Sequence, residues 1–221
     1  MDIKIWTKTL TEKLLAAFGD RVVFIGLQGS RGRGEARPSS DIDMVVVLNE
    51  MTFEDLSAYG ALLESMPEKE LACGFVSGKK ELLGWLPSEL FTLYHDTVPI
   101  YGTLDFIKGY FTQNDAAAAV AASACVIYHG CCHNFIYEKS GELLSALYKS
   151  AFFTLRAELY CKTGRYVKRS DELEGLLHGT DHDVLSFYIK TLNENILRPE
   201  VFKEGSELLL KWSAELIKER A

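Results

Sequence analysis

The chain has 221 residues, 48% of them hydrophobic and 25% charged, which is enough apolar material to bury a core in one large or two small domains. Its 24 basic and 31 acidic side chains leave a net charge of −7, which opposes adhesion to phosphate backbones and argues against duplex nucleic acid as a substrate. Five irregularly spaced cysteines read as reduced thiols. The N-terminus MDIKIWTK lacks the apolar core of a signal peptide, and the alanine-rich run near residues 116–128 is too short to span a membrane, so a cytoplasmic location with no membrane partner is expected.

Residues 4–18 carry apolar side chains at helical spacing (Ile5, Trp6, Leu10, Leu14, Leu15, Phe18) and stop at Gly19-Asp20. VVFIGL (22–27) and IDMVVVL (42–48) are short, β-branched and bounded by turn formers, as strands buried on both faces are. A helix from Thr52 to Ser65, a third strand at LACGFVS (71–77), a helix from Pro87 to about His95 and the short TVPIYG complete an alternating first half. Beyond Gly109 turn formers become rare. Helical patterns occupy roughly 113–134, 139–163, 169–178, 181–195 and 199–219, a helical bundle in which the small residues of AAAAVAASA let helices approach closely.

The chemistry concentrates in GSRGRGEARPSSDID, residues 29–43. Side chains two apart on a strand share a face, so Asp41 and Asp43 project side by side while Ile42 points into apolar packing. Two adjacent carboxylates repel unless a cation lies between them, and hard oxygen ligands suit Mg²⁺ or Mn²⁺, which shares its shell with substrate phosphates. Gly29-Ser30, at the end of the preceding strand, offers close backbone approach, free N–H groups and a hydroxyl for phosphate oxygens, with Arg31, Arg33 and Arg37 near enough in sequence to add charge. Gly-Ser, ten residues, Asp-x-Asp arises by chance in roughly a few chains per thousand of this length.

This pattern, with Ser40-Asp41-Ile42-Asp43 opening a strand, resembles the nucleotidyltransferases of the DNA polymerase β superfamily, especially the minimal nucleotidyltransferases and the kanamycin- and lincosamide-modifying enzymes. The likeness covers about residues 20–105. It implies an α/β (α+β) nucleotidyltransferase domain with a small mixed sheet over 1–110, followed by an all-α helical bundle domain over 111–221 that closes over the acceptor. It further implies transfer of a nucleoside monophosphate from a nucleoside triphosphate, ATP by expectation, to a hydroxyl of an aminoglycoside-like small molecule or of a protein. On this resemblance Asp41 and Asp43 are the catalytic and metal-holding residues, and Gly29, Ser30, Arg33 and Ser40 the nucleotide-binding ones.

Such enzymes present a third carboxylate from the next strand, which helps hold the ion and takes the acceptor's proton. LACGFVS contains none: Cys73 or Gly74 falls at that position, and Glu68 or Glu70 would need a shifted register. Glu142 is a substitute, since Glu142, Lys149 and Arg156 are spaced by seven along one helix face. The alternative to an enzyme is a catalytically weakened nucleotide-binding or interaction module.

Other clusters read as structural. Cys125, His129, Cys132 and His133 crowd one helix side but cannot wrap a zinc ion tetrahedrally, so buried thiols and a hydrogen-bonded imidazole are expected. His95-Asp96 reads as a helix end, HGTDHD (178–183) as an interhelical turn, and Lys162 and Lys168 as part of a solvated connector. Arg156 is not followed by the histidine of a HEPN-type ribonuclease, so no ribonuclease activity is expected.

Overall fold

The structure is a computed structural model; it describes residues 1–193 and 198–220. The chain divides into two compact units, Met1–Phe111 and Thr112–Ala221.

In the first unit, α1 (Ile3–Phe18) starts at Asp2, whose carboxylate accepts from Lys4 N at 2.9 Å, and β1 (Val22–Leu27) follows after one short helical turn. α2 (Gly29–Arg33) is a single turn before β2 (Ile42–Leu48). α3 (Phe53–Glu64) carries β2 over to a parallel neighbour, β3 (Ala72–Gly78), as a parallel pair requires. Its start is a capping box: Thr52 N donates to Asp55 Oδ2 at 2.9 Å and Asp55 N to Thr52 Oγ1 at 3.2 Å. The Arg21 guanidinium also pairs with Asp55 and, with the Thr52 N–H, holds its carboxyl below the usual range.

α4 (Lys79–Leu83), α5 (Pro87–Asp96) and β4 (Val98–Gly102) complete a four-stranded mixed sheet in the order β3-β2-β1-β4, with β1 antiparallel to both β2 and β4. Alternation along β2 sorts its side chains into two cores. Ile42, Met44, Val46 and Leu48 pack with Trp6, Leu10 and Leu14 of α1, while Val45 and Val47 pack with Leu82, Leu90, Leu93 and Ile107 on the other face. Beyond the half-buried Asp43 the strand is thus buried on both faces, as its short, β-branched run predicts. α4 and the 3₁₀ turns at Asp105–Tyr110 were not expected from the sequence.

In the second unit, α6 (Gln113–His133) runs straight into a π-helical turn, Asn134–Glu138, so the helix expected to end near 134 continues to 138. The buried Asn134 explains the extension: its side chain donates to Ser140 O and accepts from Ser140 N, both at 2.9 Å, closing the turn before α7 (Gly141–Thr163). By length and apolar composition alone, Gln113–Glu138 is sufficient to cross a bilayer, unlike the shorter run judged from sequence. α8 (Ser170–Glu174) is shorter than the predicted 169–178. α9 (Gly179–Asn193) starts two residues before the predicted 181, taking most of HGTDHD into the helix, and its predicted end at 195 lies outside the described residues.

α10 (Pro199–Glu219) completes the bundle. Ala116, Val120, Ala124 and Ile127 form the buried face of α6, and Ser123 Oγ meets Thr154 Oγ1 of α7 at 2.6 Å, a close approach of the kind small side chains permit. Tyr148 stacks on Phe187 at 4.6 Å and donates to Gly205 O at 2.7 Å, tying α7, α9 and α10 together.

Candidate functional site

The site is built where β1 and β2 run side by side. Gln28 N donates to Asp43 O at 2.8 Å, so the ladder between the two strands continues one residue past β1, and the next residue, Gly29, turns the chain away with φ +66°. A Cβ at Gly29 would lie 1.8 Å from Asp43 Oδ2, so only glycine leaves this carboxylate its place. Ser30 follows in the first turn of α2, whose first intrahelical bond is Gly32 N to Gln28 O at 3.0 Å; the N–H groups of Gly29, Ser30 and Arg31 come before it. The expected Gly-Ser turn is therefore the opening of a short helix.

Asp43 is half-buried, the second residue of β2, and Asp41 is exposed just before the strand begins. Their alternation assigns both to the sheet face of Val45 and Val47. The loop leading to them is clasped by Arg31. Its Nε donates to Ser40 O at 3.0 Å and Asp41 O at 3.2 Å, and its Nη2 to Ser40 O at 2.7 Å and Pro38 O at 3.4 Å. Arg31, one of three loop arginines that could add charge, thus directs its Nε and Nη2 donors to carbonyls of its own loop. Arg33, a candidate nucleotide ligand, pairs with Glu35 at 2.9 Å, its side chain only 7% exposed. The Ser40 hydroxyl accepts from Arg37 N at 2.9 Å, closing the tight turn before Asp41.

The parallel register fixes the position opposite the carboxylates: Asp43 pairs with Cys73 and Met44 with Gly74. Cys73 thus shares the face of Asp43 and is exposed. Gly74, at φ +138°, presses so closely on β2 that a Cβ there would meet Met44 O at 2.0 Å, which bars any carboxylate from that position. The register is not shifted toward the earlier acids: Leu71, not Glu70, comes level with Asp41, and Glu70 lies in the 3₁₀ turn before β3. Among the described residues there is no group of three or more His, Cys, Asp or Glu suited to a metal ion. Two carboxylate oxygen donors still fit a magnesium-type ion, which takes one or two carboxylates and completes its shell with phosphate and water.

The remaining candidates lie in the helical unit. Glu142 and Lys149 are exposed, but Arg156, seven further on, is fully buried, its guanidinium 5.0 Å from the Phe152 and Phe153 rings and 5.1 Å from Tyr166, to whose hydroxyl it donates at 2.5 Å. The three do not form one solvated stripe. Burial and the charge of Arg156 lower the Lys168 pKa. Lys162 pairs with Glu158 at 3.1 Å and Asp181 at 3.3 Å, and Asp181 also accepts from Trp212 Nε1 at 2.8 Å. Cys125, expected to be buried, is exposed. The buried thiol is Cys131, pushed up to about 11 by burial and donating to Ser206 O at 3.2 Å.

Residues 8–95 match the nucleotidyltransferase domain family. The matched segment runs from α1 to α5 and takes in Gly29, Ser30, Asp41 and Asp43. The fold of the chain is similar to that of spectinomycin adenyltransferase AAD(9) from Enterococcus faecialis, solved with ATP and spectinomycin, at 14% identity and TM-score 0.60 over 96% of this chain and 98% of that one. A nucleotidyltransferase-like protein from Exiguobacterium sibiricum 255-15 is also similar, at 12% identity and TM-score 0.39 over 98% of this chain and 77% of that one. No curated protein sequence matches.

Proposed function

We propose that this protein transfers a nucleoside monophosphate from a nucleoside triphosphate, ATP in the first instance, to a hydroxyl of an aminoglycoside-like small molecule. The observation that carries the reading is the convergence at Gly29: the Asp43 carboxylate occupies the space a side chain would take, beside the first-turn N–H groups and the Ser30 hydroxyl. Asp41 and Asp43 would hold the divalent ion, which when bound supplies charge neutralisation on the phosphoryl oxygens. The backbone of Gly29 and Ser30 and the Ser30 hydroxyl orient the leaving pyrophosphate. The acceptor oxygen bonds to the α-phosphorus as the bond to pyrophosphate breaks, and the hydroxyl proton passes to solvent. The small-molecule acceptor draws support from the similar spectinomycin enzyme and from the acidic balance of the chain, which suits a cationic substrate.

A second reading, a nucleotide-binding module with little transfer, is favoured by Cys73, which stands opposite Asp43 where no carboxylate can take the proton. Pyrophosphate release with ATP and Mg²⁺ over a panel including spectinomycin separates the two. Acceptor-dependent release that is lost in Asp41→Asn and Asp43→Asn supports transfer; tight Mg²⁺-ATP binding with no release from any acceptor supports the module. On the transfer reading, Cys73→Asp raises turnover, because it restores a carboxylate on the same face.

A further inference from the structure

We propose that the outward face formed by the end of α6, its π turn and α10 is the seat of a second copy of this chain, in a two-fold symmetric dimer. No Asp, Glu, Lys or Arg stands between Asp115 and Glu138, yet only 28% of the most apolar stretch of this helix is buried. Ala122, Cys125, Val126, His129, His133 and Tyr137 recur at helical spacing as an exposed stripe. At its end the π turn raises Phe135, Ile136 and Tyr137, 46%, 58% and 71% exposed, and Phe135 stacks on Phe202 of α10 at 6.2 Å with the rings 7° apart. The Asn134–Ser140 pair fixes this turn, so the apolar projection is set before any partner arrives. Next to it lies a groove of about 330 Å³, whose walls include Cys132, Ile136 and Leu210.

Projection and hollow on one face are what a two-fold contact needs, because each copy must offer both halves of the fit. The rim charges select the same partner. Lys203 and Glu207 are exposed, one helical turn apart and opposite in sign, and neither has an ion pair among the described residues. Antiparallel apposition of two α10 helices about this point sets Lys203 against Glu207 of the second copy, twice. A lipid surface is disfavoured: Glu200, Glu204 and Glu207 outnumber Lys203 and Lys211 along the outer side of α10, and the chain carries a net charge of −7.

Sedimentation velocity over a micromolar concentration series tests the proposal, with thermal melts reporting the fold of each variant. The expected result is a shift from the 24.8 kDa chain mass toward twice that value. Lys203→Glu and Glu207→Lys each weaken the dimer at least about tenfold by setting like charges together, the double swap restores it, and Ile136→Glu abolishes it with an unchanged melt. A wild type that stays monomeric, a dimer indifferent to all of these changes, or a double swap as weak as the single ones would overturn it. So would a monomer that pellets with phosphatidylcholine–phosphatidylglycerol vesicles, which assigns the face to lipid.

Discussion

A Cβ at Gly29 in the α/β unit would meet the carboxylate of Asp43 at 1.8 Å; a Cβ at Gly205 in the helical unit would meet the Phe187 ring at 2.4 Å. Both glycines keep space for a neighbour, but the first keeps it for a charged group at a strand end and the second for an aromatic ring in a dry core. The same absence of a side chain thus shapes a polar site in one unit and packing in the other. Local strain in the first unit should damage ligand binding, and in the second, stability.

The largest expected effect breaks the first half of this contrast. Gly29→Ala combines a displaced Asp43 with a positive φ and should lower kcat/KM by about 100-fold or more, about 2.7 kcal/mol, while the melting temperature changes little. Equal losses of stability and activity would show that the turn supports the fold rather than the site. Gly205→Ala is the mirror experiment: overpacking against Phe187 should cost about 1–3 kcal/mol in denaturant unfolding, with the Mg²⁺-ATP affinity retained.

The smallest effect sharpens the electrostatic side. Arg21 and the Thr52 N–H depress the Asp55 pKa, and a carboxyl depressed in the folded state stabilises fully above its unfolded value of about 4 and loses that contribution as the pH falls through the folded one. The stability gap between the wild type and Arg21→Met should therefore be present at neutral pH and close in acid. Urea unfolding at several pH values reads it, and a gap independent of pH would assign Arg21 a packing role instead.

Much of the α/β unit was legible because alternation and β-branching report a strand directly. Asp41 and Asp43 could be set on one face from parity alone, and the acid-free third strand was visible in its letters. The Arg31 clasp was not, because a guanidinium that binds backbone carbonyls leaves no mark on the residues it binds. Nor was the burial of Arg156: seven-residue spacing suggested a face shared with Glu142 and Lys149, but the aromatic surroundings include Tyr166, which lies beyond the helix end. The π turn escaped for a similar reason, since the Asn134 amide answers a backbone six residues on, outside any local propensity.

Arg31 directs its Nε and Nη2 donors to neutral oxygens, and no ion pair joins it to an acid among the described residues. Its positive charge is therefore not cancelled by a paired acid and adds to the local potential beside Asp41. A lysine there, a single ammonium without a planar fork, would keep the charge and lose the grip on three carbonyls at once.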